Sequence, residues 1–336
     1  MAHIKVYIFC QSEVGSGHYV RCNNIRKGLK DCKFEYITGA FTDDERKTIF
    51  AKQLKIINDY KPDIILLDGF PFMRYEWFDS GMEFLLKSVK NNWKDVKIVS
   101  SVRDICYPWK NISKKRGTDY YSALTTNWAN EYFDAILVHG DKNFIKLDES
   151  FEHLNLIDPP VYYTGYVTDT YKPKPQERNG TVVSAGGGRV AMDCFDKAME
   201  LYDGTDWTFS VGPNHPKEHQ KKLLKWVSDK KKMKVIMPIL KPLYIFHKWD
   251  KVKIVYNVKN FRDLLAKHKL SISQAGYNTV MDLWMTDTPA KFVPYVDKND
   301  EQEQTTRARF VNNMKIKPNM NGVKKTKQLL WKICEN

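Results

Sequence analysis

Ser271-Ile272-Ser273-Gln274-Ala275-Gly276-Tyr277-Asn278-Thr279-Val280-Met281-Asp282-Leu283-Trp284 is the stretch on which the fold of this chain turns. Its opening residues read as a β-strand that Gly276 ends, and Asn278 and Thr279 are suited to cap a helix whose amides face a phosphate. Asp282 follows one turn inside, in reach of ribose hydroxyls. Working outward, short β-rich runs recur at Thr181 to Ala185, Trp207 to Val211, Lys234 to Met237, Lys253 to Asn257, Leu270 to Ser273 and Ala290 to Pro294. An earlier series does the same at Ile4 to Cys10, Phe34 to Thr38, Asp63 to Asp68, Val96 to Val102 and Ala135 to His139, each run preceding a stretch that can be helical. Strand and helix signals in alternation argue for parallel sheets covered by helices, so two Rossmann-like sheets in tandem are expected. Between the series, Lys172-Pro173-Lys174-Pro175 and Asn179-Gly180 have the composition of a linker. The expected division is a first domain at 1–165, a linker at 166–179, a second domain at 180–312, and a helical tail at 313–336 packing back toward the first domain.

At 336 residues, with 42% hydrophobic and 28% charged side chains, the chain is long enough for two ordinary cores and excludes collagenous, low-complexity and wholly disordered classes. Its longest purely apolar runs, such as Val6 to Cys10, fall far short of the roughly 20 residues of a membrane-spanning helix. The N-terminus has no secretory apolar region. The six cysteines, at 10, 22, 32, 106, 194 and 334, form no C-x-x-C pair and have no histidine at zinc spacing, which implies reduced thiols, no structural metal and a cytoplasmic location.

The net charge of +14 is unevenly spread. Residues 1–165 hold 23 basic and 22 acidic side chains, and residues 166–336 hold 31 and 18. Lys217 to Lys259 alone has 13 basic and 3 acidic residues, interleaved with Trp226, Tyr244, Phe246, Trp249 and Tyr256. Such a segment is either a solvated lysine-rich face or a surface for an anionic partner, with Lys230, Lys231 and Lys232 as its most exposed candidates.

Two glycine-bearing turns leave strands where chemistry is expected. The first, Gly15-Ser16-Gly17-His18-Tyr19-Val20-Arg21, lacks the third glycine of a dinucleotide fingerprint and any Walker lysine. A helix over Cys22 to Lys30 is expected after it, and His18 stands where a general base would meet a substrate. The second is Gly186-Gly187-Gly188-Arg189, bare backbone for a phosphate or sugar with a cation beside it. Asp104, in Ser101-Val102-Arg103-Asp104 at a strand end, is the reserve candidate for the base, or else a cap or a partner of Arg103.

Taken together, the G-x-G-H turn, the G-G-G-R turn, the Ala275 to Asp282 block and the trailing Glu303-Gln304-Thr305-Thr306-Arg307-Ala308 resemble, in order, the signatures of the MurG-like GT-B glycosyltransferases. The resemblance covers nearly the whole chain. It implies an α/β GT-B fold, two Rossmann-like domains facing a central cleft, and a metal-independent transfer from a UDP-sugar without a cofactor. Carried over by position, it implies that Gly186, Gly187, Gly188 and Arg189 lie at the donor diphosphate and that Gly17 also belongs to the donor site. Ala275, Gly276, Asn278 and Thr279 form the phosphate-facing helix start, and Asp282 stands at the ribose, where the family has the longer Glu. Glu303 and Gln304 address the donor sugar, Val258 and Phe261 the nucleobase, and His18 is the acceptor base, with inversion at the sugar. For the acceptor, the basic segment favours a hydroxymethylated base in DNA, as in phage DNA modified in a host cytoplasm. The alternative is a lipid-linked or saccharide acceptor at a membrane surface, reached through Phe70-Pro71-Phe72-Met73-Arg74-Tyr75-Glu76-Trp77-Phe78 unless that run is core. A non-catalytic nucleotide-sugar or nucleic-acid-binding protein would require His18, Arg189, Asp282 and Gln304 to be vestigial.

Overall fold

Strand β1 (Lys5–Ser12) buries every residue after Lys5, as a strand must when helices cover both faces of a parallel sheet. Residues 3–12, 17–107, 118–186, 192–232, 251–296, 302–312 and 317–335 are described in the computed structural model of the protein. They fall into two units, the first comprising residues 1–169, 298–303 and 310–336, the second 170–297 and 304–309.

In the first unit, β1 is followed by α1 (Gly17–Gly28), β2 (Asp31–Thr38), α2 (Asp43–Tyr60), β3 (Ile64–Asp68), α3 (Glu83–Asn92), β4 (Lys97–Arg103), α4 (Thr118–Tyr132), β5 (Ala135–His139) and β6 (Val161–Tyr163). The sheet order is β2-β1-β3-β4-β5-β6, all parallel. Alternation along the strands divides two cores: Tyr7, Phe9, Ile65 and Leu67 pack on one face, Val6, Ile8, Cys10, Ile64 and Leu66 on the other. Because β2 and β3 flank β1, the strand order reverses direction there, and the C-terminal ends of β1 and β3 border the crevice where α/β sheets bind ligands.

The second unit repeats the plan with β7 (Thr181–Ser184), α5 (Met192–Leu201), β8 (Trp207–Val211), α6 (Lys217–Lys232), β9 (Val252–Tyr256), α7 (Phe261–Ala266), β10 (Leu270–Ser273), α8 (Tyr277–Thr286) and β11 (Ala290–Phe292). Its order is β11-β10-β7-β8-β9, again parallel, with the reversal between β7 and β10. Helix α9 (Glu303–Asn312) follows, and α10 (Gly322–Glu335) packs Leu329, Leu330 and Ile333 into the core beneath α1. Gly322 makes that docking possible, since a Cβ there would meet the Tyr166 backbone at 2.6 Å.

Several elements depart from the sequence reading. Helix α1 starts at Gly17 instead of Cys22, so His18 sits in its first turn, anchored by Asp68. Helix α8 takes Gly276 as its N-cap, without a side-chain cap, and Asn278 and Thr279 lie inside the helix instead of capping it. β11 stops at Phe292, β6 is an additional short edge strand, and the run Lys234 to Met237 lies outside the described residues. The aromatic run at 70–78 is core: Phe70, Phe72 and Trp77 are each 1% exposed and Phe78 is 7% exposed, with Trp77 packed edge-on against Phe41 and Phe50. It offers no surface to a membrane. Among the described residues no helix is long and apolar enough to cross one.

Candidate active site

At the reversal point of the first sheet, Asp68 ends β3 with no exposed surface beyond 4%, and it collects donors from three directions. From α1, His18 Nδ1 lies 2.7 Å from Oδ2 and the Arg21 guanidinium donates to Oδ1. Thiols add two weak bonds, Cys22 Sγ to Oδ1 at 3.3 Å and Cys10 Sγ to Oδ2 at 3.6 Å. Arg74, in the left-handed region at φ 64°, brings its guanidinium to 3.6 Å from Oδ2 while donating to the Gln11 carbonyl. Burial alone would raise the Asp68 carboxyl, but His18, Arg21 and Arg74 around it hold it well below the carboxylate range. The carboxylate is therefore ionised and accepts the Nδ1 proton of His18, which leaves the Nε2 lone pair as the acceptor.

His18 itself is pushed down to about 3, first by burial, then by the cation of Arg103, against the opposing pull of Asp68. The imidazole is neutral at pH 7. Behind it the polar layer continues: His139, at the end of β5, bonds Ser101 Oγ at 2.8 Å and Thr164 Oγ1 at 2.9 Å. Asp104, fully buried, accepts from Tyr166 Oη at 2.8 Å. Asp104 thus belongs to the layer under β4, and the pairing of a carboxylate with His18 falls to Asp68 instead. Cys10, Cys22 and Asp68 bring donor atoms within 4.8 Å of one another, a spacing a metal could bridge. They do not suit one, because the carboxylate of this group is already engaged by a guanidinium and an imidazole, and the hydrogen bond with Cys10, then burial and the neighbouring Asp68, hold the Cys22 thiol protonated.

In the second unit, the two glycine turns meet at the reversal point. Ser184 at the end of β7 is in register with Ser273 of β10, and Gln274 N donates to the Ser184 carbonyl at 3.3 Å. Gly186 follows at φ 67° with nothing within 4 Å of a would-be Cβ, so the position demands glycine for its backbone and leaves open space above it. Gly187, Gly188 and Arg189 lie outside the described residues. Ala275 and Gly276 lead into α8, whose amide end is aimed from this edge. Arg307, fully buried, holds that turn: its guanidinium donates to the Ala275 carbonyl at 3.1 Å and lies 5.7 Å from the Tyr277 ring centroid. Asp282 accepts from Arg262 Nε at 2.7 Å, so its carboxylate is oriented by a cation. Phe261 packs against the small core of Val182, Leu265 and Leu283, beside half-buried Val258.

The remaining sequence candidates separate. Glu303 belongs to the first unit, where Arg103 binds both its oxygens at 3.0 and 3.1 Å; Gln304 belongs to the second, its side-chain oxygen accepting from Tyr295 N at 3.1 Å. Lys230, Lys231 and Lys232 end α6, with side chains outside the described residues, while Lys217, Lys221, Lys222 and Lys225 of the same helix are exposed. Trp226 turns inward onto Tyr202 and Phe209 and is no stacking platform.

Known proteins bear on this geometry in three ways. The pattern of the glycosyltransferase family 28 C-terminal domain matches residues 211–325. No curated protein sequence matches the chain. Among solved structures, the glycotransferase of kitacinnamycin superposes with a TM-score of 0.56 at 9% identity, covering 100% of this chain and 92% of that one. Anabaena HepE, crystallised with UDP and glucose, gives 0.54 at 11%, covering 99% and 100%. The UDP-GlcNAc 2-epimerase of Methanocaldococcus jannaschii gives 0.52 at 11%, covering 98% and 99%. At such identities the likeness is one of fold, over the full length of the chain.

Proposed function

We propose that this chain, whose residues 211–325 match the glycosyltransferase family 28 C-terminal domain and whose fold is that of the kitacinnamycin glycotransferase, is a GT-B glycosyltransferase that moves a sugar, with inversion, from a UDP-sugar to a hydroxyl of an anionic acceptor. Our preferred acceptor is a hydroxymethylated base in duplex DNA. The observation that carries the catalytic reading is the 2.7 Å contact of His18 Nδ1 with the buried Asp68 carboxylate, which leaves Nε2 free to take the acceptor proton. In the step itself the acceptor oxygen forms its bond to the anomeric carbon as the bond to the diphosphate breaks; the proton goes to His18 Nε2 and UDP departs with the electron pair. The amide end of α8, the Gly186 turn and Arg189 would meet the charge of the departing diphosphate, work that needs no metal. Asp282, oriented by Arg262, would take the ribose.

Support for a nucleic-acid acceptor comes from the exposed lysines of α6 and from the loss of the aromatic run at 70–78 as a membrane patch. The fold is also that of a UDP-GlcNAc 2-epimerase, so products must be identified directly. UDP should bind calorimetrically in the presence of EDTA, and Arg189→Ala should weaken it by about 1.5–3 kcal/mol, the worth of a charge-assisted bond. Incubated with UDP-sugars and duplex DNA bearing hydroxymethylated bases, the protein should add one glycosyl residue per modified base, read by mass. His18→Ala should slow this about 10²–10⁴-fold with UDP affinity unchanged. UDP binding abolished by EDTA, or full turnover without His18, would sink the mechanism; unmodified DNA alongside a glycosylated lipid or saccharide would transfer it to the other acceptor.

A further inference from the structure

Beside His18, more donors converge on Asp68 than its two oxygens can readily serve. Asp68 has two oxygens with about four lone-pair positions, and His18, Arg21, Cys10 and Cys22 already take them. Arg74 arrives as a fifth claimant at 3.6 Å, with one N–H spent on the Gln11 carbonyl and its Nε–H buried without an acceptor among the described residues. Arg103 stands on the adjacent strand end in the same condition: one nitrogen serves Glu303, and its Nε–H is buried without an acceptor among the described residues. A buried, unsatisfied donor on a charged group is costly; Arg46 on α2 has one as well, but Arg74 and Arg103 are the two whose cations bear on His18. Arg74 shares the Asp68 Oδ2 with the His18 ring, Arg103 ends the strand that pairs with β3, and both cations lower the imidazole; both side chains keep some surface open, 11% for Arg74 and 15% for Arg103. Arg74 is moreover held at a φ of 64°, a conformation that costs a non-glycine residue energy and is retained where the surroundings or a function require it.

We infer that Arg74 and Arg103 form an oxyanion-binding subsite beside His18, and that it takes a phosphate or carboxylate oxygen of the acceptor, seating the acceptor's hydroxyl at Nε2. The inference rests on the glycosyl-transfer reading for the identity of its ligand, but not for the existence of the subsite. It moves the acceptor's decisive charge contact from the lysines of α6 to two arginines in the catalytic unit. Guanidiniums suit the task better than lysines, since their planar forks address two oxygens at once and stay charged when half-buried. An anion placed there would also favour the imidazolium that forms as His18 takes the proton.

The test follows the ring signals of His18 by NMR in histidine-labelled full-length protein titrated with inorganic phosphate, with chloride at matched ionic strength as the control. Saturable movement of the His18 signals by phosphate but not chloride is expected, with the affinity falling about tenfold or more in Arg74→Gln and in Arg103→Gln. Arg74→Lys, which keeps the charge but loses the fork, should retain part of the binding and reports on folding if the Gln variant does not fold. A titration with UDP separates the sources: if UDP moves the same signals with the same dependence on Arg74 while phosphate does not, the oxyanion belongs to the donor and the acceptor assignment is overturned. No movement with either anion, or movement unchanged in both Gln variants, overturns the subsite. Failure of the glycosyl-transfer reading looks different, because UDP would then fail to bind calorimetrically while the phosphate response of His18 persisted.

Discussion

At His18 desolvation competes with charge, and desolvation wins. Burial and the Arg103 cation together push the imidazole down to about 3, although Asp68 pulls the other way. The neutral ring is then present across the whole physiological range, and as the proposed base it would draw its power from Asp68, which fixes the tautomer and would stabilise the imidazolium as it forms. The kinetic consequence is specific. With an ordinary imidazole of pKa about 6.5 as the base, roughly 97% of the neutral form would be lost at pH 5. Here kcat/KM should stay level from pH 8 to pH 5, in assays short enough to precede unfolding. An acid limb near 6.5 would show that His18 is not the base or that it is solvated in the free enzyme. Asp68→Asn should lower kcat about 10²-fold or more while leaving UDP affinity intact, whereas Asp68→Ala should also cost about 3–5 kcal/mol of stability, because Arg21 is left buried without its carboxylate. Of this site the sequence made His18 legible, through its glycine turn, and Arg21 was visible in the same motif without a role. Asp68 was not legible: it reads as the last residue of one apolar strand among many, and only the pairing of β3 beside β1 brings it, 50 residues away, to Nδ1.

At the scale of elements, the strand ladder was readable because parallel central strands are continuous apolar runs bounded by polar turns; Ala135–His139, Trp207–Val211 and Leu270–Ser273 form as read. What the sequence left open was the assignment of faces outside the sheets. The run Phe70 to Phe78 and the residue Trp226 carry no periodicity that distinguishes a surface patch from a satellite core, and tertiary packing decided both. The side chains of Glu303 and Gln304 are held by Arg103 and by the Tyr295 amide, partners 200 and 9 positions away, which the sequence does not reveal. A prediction follows for Trp77, 1% exposed with Phe9, Phe41 and Phe50 around its ring. Trp77→Ala should destabilise the protein by about 3–5 kcal/mol, the cost of deleting a buried aromatic, read as a lower midpoint in urea. Binding of the wild type to anionic vesicles should be no different from that of the Trp77→Ala variant. Vesicle binding that depends on Trp77, with stability unchanged, would return this run to the surface.

Across the whole molecule, four histidines share one electrostatic condition, and they are spread over both units. His18 and His139 in the first, and His215 and His268 in the second, are all held below the ordinary imidazole value, in each case first by burial. A histidine depressed in the folded chain is neutral there but binds a proton once unfolded below pH about 6.5, so the unfolded state holds more protons and folding stability rises with pH in that interval. The contribution is complete above about 6.5 and is lost as the pH falls toward the folded value, which for His18 is about 3. Asp68 has the same sign but a later window: its folded value lies well below the carboxylate range, so its share is lost only below about 3.8. Acidification from pH 7 to pH 5 should therefore weaken the fold through imidazoles before Asp68 contributes, each adding about 1.4 kcal/mol per pH unit once the unfolded form is protonated. Urea unfolding at pH 7, 6 and 5 measures the slope, and His18→Gln should flatten it by about one proton, while substitution of an exposed histidine such as His3 should leave it unchanged. A stability constant from pH 7 to pH 5 would mean that these rings bind protons equally well folded and unfolded, and the neutral His18 required for the transfer step would fall with it.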